Sequence, residues 1–279
     1  MVRIIPRLDI KGPNLVKGIH LEGLRVLGKP SDFAKYYYEI GADEIIFMDV
    51  VASLYERNSL HEIISETAKN IFIPITVGGG IRTIKDIKDI LRSGADKVSI
   101  NTAAIKDPNF IYRASREFGS STIVVSIEAV KSPNGEYYAY VDNGREFTGI
   151  EVSKWAKKVE ELGCGEILIT SVDREGTGKN FDFELCDLIV KSVSVPVIVH
   201  GGAGKKEDVL EIISNKNINS VALASILHYG AIENLISNND LDGEGNFDFV
   251  NSGRKIRNID SILINQLKEY LKANNIKCR

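Results

Sequence analysis

The feature that most restricts how this chain can fold is an internal repeat. Val77-Gly78-Gly79-Gly80 recurs 123 residues later as His200-Gly201-Gly202-Ala203. Residues 43–46 recur as 165–168 after 122 residues, and residues 98–102 recur as 221–225 after 123. Leu8-Asp9 corresponds to Ile127-Glu128 at an offset of 119. Four blocks in one order at nearly constant offset describe a half-length unit written twice, with a period far too long for a solenoid. Eight β-branched runs predict strands at 2–9, 44–50, 73–77, 97–100, 122–128, 166–170, 196–200 and 220–224, four in each copy. Most are near-continuous apolar runs, as parallel strands covered on both faces require. Helix-period stretches lie between them. Ser31 precedes 32–40, Thr83 precedes 84–92, and Asp107-Pro108 opens 109–118, while Gly41, Gly94, Gly119 and Gly163 mark helix ends. Such alternation predicts an α/β protein, a single (β/α)8 TIM barrel built from two half-barrels.

The 279 residues suit one such barrel, typically about 250, so 1–279 is expected to be a single domain. Two segments interrupt the rhythm. Residues 131–148 predict a hairpin inserted after the fifth strand, with turns at Asn134-Gly135 and Asn143-Gly144. After about 230 a long loop, 237–253, precedes a final amphipathic helix over about 260–273. Residues 240–251 approach calcium-loop spacing, but Asn251 stands where the bidentate Glu belongs, so an acidic loop and no metal are expected. With 35 basic and 38 acidic side chains there is no basic field to attract nucleic acid. No apolar run approaches the ~20 residues of a membrane span, and the charged start does not read as a signal peptide. Cys164, Cys186 and Cys278 form no C-x-x-C pair, which suits a reducing cytoplasm.

In α/β barrels reacting groups collect where strands end. Each half offers a Gly-rich turn and, one strand on, a small polar pair. Bare backbone N–H groups and a following helix start can hold an anion. Gly79, Gly80, Asn101 and Thr102 are thus expected at one phosphate, and Gly201, Gly202, Ala224 and Ser225 at another. One Gly-rich turn alone would be only a loop, but its duplication predicts a ligand with a phosphate at each end. Asp9 and Glu128 end equivalent strands on opposite sides, an arrangement suited to one acid and one base. Lys17, in the long loop expected after strand one, is placed to close over a phosphate.

Five segments carry a family resemblance: 7–18 (RLDIKGPNLVKG), 76–81 (TVGGGI), 94–104 (GADKVSINTAA), 165–177 (GEILITSVDREGT) and 201–204 (GGAG). From residue 1 to about 230 the chain resembles HisF, the cyclase subunit of imidazole glycerol phosphate synthase. The resemblance implies a lyase of histidine biosynthesis without a cofactor. A glutaminase (HisH-like) partner at the N-terminal face would supply ammonia. The barrel would use it to convert a ribulosyl aminoimidazole carboxamide bisphosphate to imidazole glycerol phosphate and aminoimidazole carboxamide ribotide. It further implies Asp9 and Glu128 as catalytic, Thr170, Glu175 and Gly176 with the substrate sites, and Asp96 at the partner interface. Arg3, Glu44, Lys97 and Glu166 fall at strand starts as two positive and two negative charges, a neutral set that a barrel floor tolerates. In the family these positions form the ammonia gate. The family pattern has Asp where this chain has Glu128 and Glu175, a small polar residue in place of His200, and a shorter tail. These departures motivate one alternative, a HisF-like conduit delivering ammonia for amidation of a surface sugar. A second is the related sugar isomerase of histidine synthesis, which shares the half-barrel plan and two acids.

Overall fold

The computed structural model describes residues 1–52, 60–216, 218–236 and 258–279. Each half of the chain contributes six strands. The first half holds β1 (Arg3–Lys11), β2 (Asn14–Ile19), β3 (Glu22–Gly28), β4 (Ile45–Asp49), β5 (Ile75–Gly78) and β6 (Lys97–Ile100). The second holds β7 (Ile123–Lys131), β8 (Tyr137–Val141), β9 (Glu146–Glu151), β10 (Glu166–Ser171), β11 (Val197–His200) and β12 (Ser220–Leu223). The strands β1, β4, β5, β6, β7, β10, β11 and β12 pair in that order, every pair parallel, and β12 returns to β1. The sheet is closed, and the predicted (β/α)8 barrel is the observed fold.

Helices α1 (Pro30–Glu39), α2 (Leu60–Thr67), α3 (Ile84–Arg92), α4 (Thr102–Lys106), α5 (Asn109–Phe118), α6 (Val152–Glu161), α7 (Phe183–Ser192), α8 (Lys206–Lys216), α9 (Ser225–Ile236) and α10 (Ile264–Ala273), with a 3-10 turn at Ser120–Thr122, complete the described elements. Alternation along each strand sorts its side chains. On β1, Ile4 and Leu8 join the core beneath the helices, whereas Ile5 packs inside the barrel with Ile46, Val124, Leu168, Ile198 and Ala222. Thr83 caps α3 through a reciprocal box with Asp86, as its sequence predicts. Ser31 does not cap α1. Pro30 occupies the first turn and Lys29 the cap position, because proline's fixed φ and missing N–H suit the start of a helix.

The expected insertion at 131–148 is an antiparallel arm, with β8 pairing β7 and β9 pairing β8. A twin was not anticipated. After β1, where a loop was expected, β2 and β3 form the same kind of arm. Lys17 therefore lies on a strand, not in a loop. The repeated unit is thus a strand, an arm and three further strands. The acidic segment 237–253, with its calcium-like spacing, lies outside the described residues. The C-terminal tail returns to the N-terminal face, where Val2 bridges Cys278 and Lys268 of α10 pairs with Asp43 at 2.7 Å.

Candidate active site

Ile5, Arg7 and Asp9 lie on the interior face of β1. Arg7 is 1% exposed. Its Nε donates to Asp9 Oδ1 at 2.9 Å, and its Nη1 donates to Thr170 Oγ1 at 3.1 Å and approaches His200 Nδ1 at 3.2 Å. Burial holds His200 well below the ordinary imidazole range, and the neighbouring Arg7 and Lys17 cations act in the same direction. The ring is neutral and accepts at Nδ1. The Arg7 backbone is fixed as well, because His228 Nε2 donates to its carbonyl at 3.0 Å and Tyr37 donates to His228 Nδ1 at 2.6 Å. A carbonyl can only accept, which sets this tautomer.

Glu128, at the matching place on β7, is buried and accepts the Gly144 N–H at 2.7 Å. Burial pushes its carboxyl up from 4.5 to about 7, against the pull of Arg7 and the Gly144 amide. A carboxyl that titrates near neutrality can give or take a proton at working pH. Asp9, by contrast, is locked in an ion pair with Arg7. Two carboxylates on opposite sides of the mouth stand in different surroundings, the pattern by which one fold divides acid from base.

Gly79, Gly80, Asn101, Thr102 and Glu128 share a cavity of about 340 Å³. Arg82 and Lys106 also line it, and neither was singled out from the sequence. The short α4 that follows Asn101 spans only five residues, so it adds less of a helix-end field than the sequence suggested. The second set, Gly201, Gly202, Ala224 and Ser225, lines a cavity of about 20 Å³ together with Lys17, Glu175, Gly176 and His200. Glu175 forms part of its wall, one carboxylate oxygen on Lys17 Nζ and the other on the Leu21 N–H at 2.9 Å. Gly79 at φ +96 and Gly202 at φ +109 need the freedom of glycine. An added Cβ would lie 2.2 Å from Asp49 O and 2.1 Å from Asn180 O respectively.

At the opposite end, Arg3, Glu44, Lys97 and Glu166 form a closed ring. Arg3 pairs with Glu44 at 2.7 Å and with Glu166, and Lys97 reaches Glu44 at 3.0 Å and Glu166 at 3.1 Å. Burial opposes the charge on Glu44, but Arg3 and Lys97 outweigh it and hold the carboxyl below its usual range. Above the ring, Thr76 is in register with Lys97, and Ser99 with Val124, so both hydroxyls face the barrel interior. Both are buried without a hydrogen-bond partner. A cavity of about 930 Å³ lies against the outer side of the ring. Asp96 is exposed at this end, where it accepts the Ile75 N–H at 2.8 Å.

Besides Arg82 and Lys106, sequence reasoning missed Arg7, the buried cation beside Asp9. Its signal was the spacing Arg7-Leu8-Asp9, which places both charges on one face of a strand. Among the described residues no cluster of His, Cys, Asp and Glu could hold a metal. Likewise, no helix among them is long and apolar enough to cross a membrane.

A closed barrel with duplicated Gly-rich turns and opposed carboxylates at its mouth defines the class: a (β/α)8 enzyme built from two half-barrels. The family described as histidine biosynthesis protein matches residues 3–233, and the chain belongs to that family. The chain is 58% identical over 207 residues to the imidazole glycerol phosphate synthase subunit HisF of Legionella pneumophila, covering 74% of this chain and 98% of that one. It is 47% identical over 229 residues to the HisF subunit of Lactococcus lactis subsp. cremoris, covering 82% and 88%. A Hydrogenobaculum HisF subunit is 43% identical over 277 residues, 99% of this chain and 98% of its own. That last relative runs the length of the tail, so the tail is no argument for a paralogue. The names carried by these relatives do not favour the sugar-amidation conduit.

Proposed function

We propose that this chain is the cyclase subunit of imidazole glycerol phosphate synthase. In that role it receives ammonia from a glutaminase subunit at the N-terminal face. At the opposite, C-terminal mouth it converts a ribulosyl aminoimidazole carboxamide bisphosphate to imidazole glycerol phosphate and aminoimidazole carboxamide ribotide. The observation that carries the reading is the order of groups along the barrel. A neutral charge ring closes one end, an apolar interior with two unpartnered hydroxyls follows, and Asp9 and Glu128 face each other beyond it. Ammonia is small and polar. Thr76 and Ser99 offer it hydrogen bonds in an otherwise apolar passage, and the ring must part to admit it. At the mouth Asp9, ion-paired to Arg7, accepts the proton shed as ammonia attacks. Glu128, protonated in about half of the molecules at neutral pH, returns a proton to the leaving group.

The bisphosphate is held at its ends by Gly79, Gly80, Asn101 and Thr102 and by Gly201, Gly202, Ala224 and Ser225, with Lys17 at the second end. Asp96 and the hollow beneath the ring form the surface for the glutaminase. We take 1–279 as one domain that works in the cytoplasm. The test is cyclisation with an ammonium salt and no partner. Formation of both products supports the reading, and absence of both removes it.

A further inference from the structure

The two candidate phosphate sites differ in how a lining cation is held: in the second, Lys17 is already paired with a buried carboxylate, that of Glu175. Glu175 is fully buried and Lys17 is 2% exposed. One Glu175 oxygen takes the Lys17 ammonium and the other takes the Leu21 amide. Phosphate oxygens seek the same donors, a buried cation and a backbone N–H. The space left among these groups is about 20 Å³. A single water needs roughly 10–15 Å³ by the same measure, so the groups as they stand leave the room of about one water. The first site keeps about 340 Å³.

The arm β2–β3 holds the carboxylate in place. His20 N donates to Glu175 O at 2.9 Å, and His20 Nδ1 lies 2.8 Å from Val172 O. Gly176 passes so close to the arm that an added Cβ would sit 2.5 Å from Gly18 O. The turn itself is unusual, because His20 and Leu21 both adopt positive φ, 54° and 61°, without being glycine. Contacts with the 171–176 segment therefore hold a conformation that the turn would not choose alone.

We infer that Glu175 is a built-in stand-in for the second phosphate. It holds Lys17 until that phosphate displaces it, so the substrate fills the Gly79–Gly80 site first and the Gly201–Gly202 site second. This rests on the bisphosphate reading above and adds an order of filling and a residue that sets it. A displaced Glu175 is not stranded, because the buried Arg7 guanidinium is already within electrostatic reach of it. The apparent affinity of the second site is lowered by the small fraction of molecules in which Lys17 is released. The first site carries no such reduction.

Inorganic phosphate titrated into the full chain, followed by backbone amide NMR shifts, reads the two sites separately. The amides of Gly79, Gly80 and Thr102 are expected to respond first. Those of Gly201, Gly202 and Ser225 should need about tenfold more phosphate or beyond. Glu175→Gln should bring the two responses together, and Lys17→Met should silence the second set while leaving the first unchanged. If Glu175→Gln does not fold, the gap in the wild-type chain and the Lys17→Met response decide the matter. Equal saturation of both sets in the wild type would overturn the stand-in and leave the bisphosphate reading intact. A gap unchanged by Glu175→Gln would also overturn it. No response from either set at high phosphate would overturn both.

Discussion

Residues 3–100 and 123–223 build the same six-stranded unit, yet their Gly-rich turns open onto very different spaces, about 340 Å³ beside Gly79 and about 20 Å³ beside Gly202. The turns are equally constrained, so they do not cause the difference. It comes from the arms, each of which covers the opposite half. The second arm lies over Asn101 and Thr102, with Tyr140 O 3.3 Å from the Asn101 amide and Asp142 3.5 Å from the Thr102 hydroxyl. The first arm brings Lys17 over Gly176 and Gly202, where Glu175 meets it. The repeat gives two equivalent Gly-rich turns, and the arms that cross them leave unequal spaces beside them. The carboxylates diverge in the same way, Asp9 against a guanidinium and Glu128 against a backbone amide.

The largest expected effect strikes the carboxylate pair. Glu128→Gln keeps shape and hydrogen bonding but removes proton transfer, and ammonium-driven cyclisation should fall about 10²–10⁴-fold. Asp9→Asn should cost a comparable factor and also leave Arg7 without its ion partner. A loss confined to one of the two would break the acid–base division.

The next effect is on stability. The folded chain holds the Glu128 proton up to about pH 7, whereas the unfolded chain releases it near 4.5. This group's contribution is therefore fully present below about 4.5 and is lost as pH rises through about 7. Relative to wild type, Glu128→Gln should gain about 3 kcal/mol between pH 4.5 and 8, measurable by denaturant unfolding at each pH. A pH-independent difference would place the group's titration elsewhere.

Lys97→Ala leaves the buried Glu44 and Glu166 carboxylates, 4% and 7% exposed, to share Arg3, and should destabilise the fold by roughly 3 kcal/mol. It should slow glutamine-driven turnover, with the glutaminase present, more than ammonium-driven turnover. Equal losses would leave the ring a structural device only. Gly79→Ala and Gly202→Ala sharpen the comparison of the turns. Both positions have positive φ and a backbone oxygen within 2.2 Å of the added methyl. Each should destabilise the fold by about 2 kcal/mol, and by similar amounts. Gly12→Ala, at φ +60 with nothing within 4 Å, should cost less.

Much of this comparison is legible in the sequence, and the reason it is not complete is physical. The half-barrel repeat shows because Gly79 and Gly202 tolerate no side chain, and the ring shows because charges at strand starts must sum to zero. The second arm is visible because Asn143-Gly144 is a turn dipeptide. The first arm is hidden because its tip, His20-Leu21, is no turn dipeptide and Leu rarely adopts positive φ, and tertiary contacts with Glu175 and Val172 impose the conformation. Arg7 sat in plain view beside Asp9, but its reach to Thr170 and His200 spans 163 and 193 residues of chain. Glu175 reads from the sequence as one more polar residue at a phosphate site. Only the closed barrel brings it beside Gly201, Gly202 and Ser225 and pairs it with Lys17.

The central claim is that two carboxylates in unlike surroundings drive cyclisation, and the pH dependence of kcat tests it most directly. At saturating free ammonia, with Glu128 as the acid, the wild-type rate should fall as pH rises through about 7. In Glu128→Gln that limb should vanish from the residual rate. A wild-type profile without this limb, or one that Glu128→Gln leaves unchanged, would contradict the account.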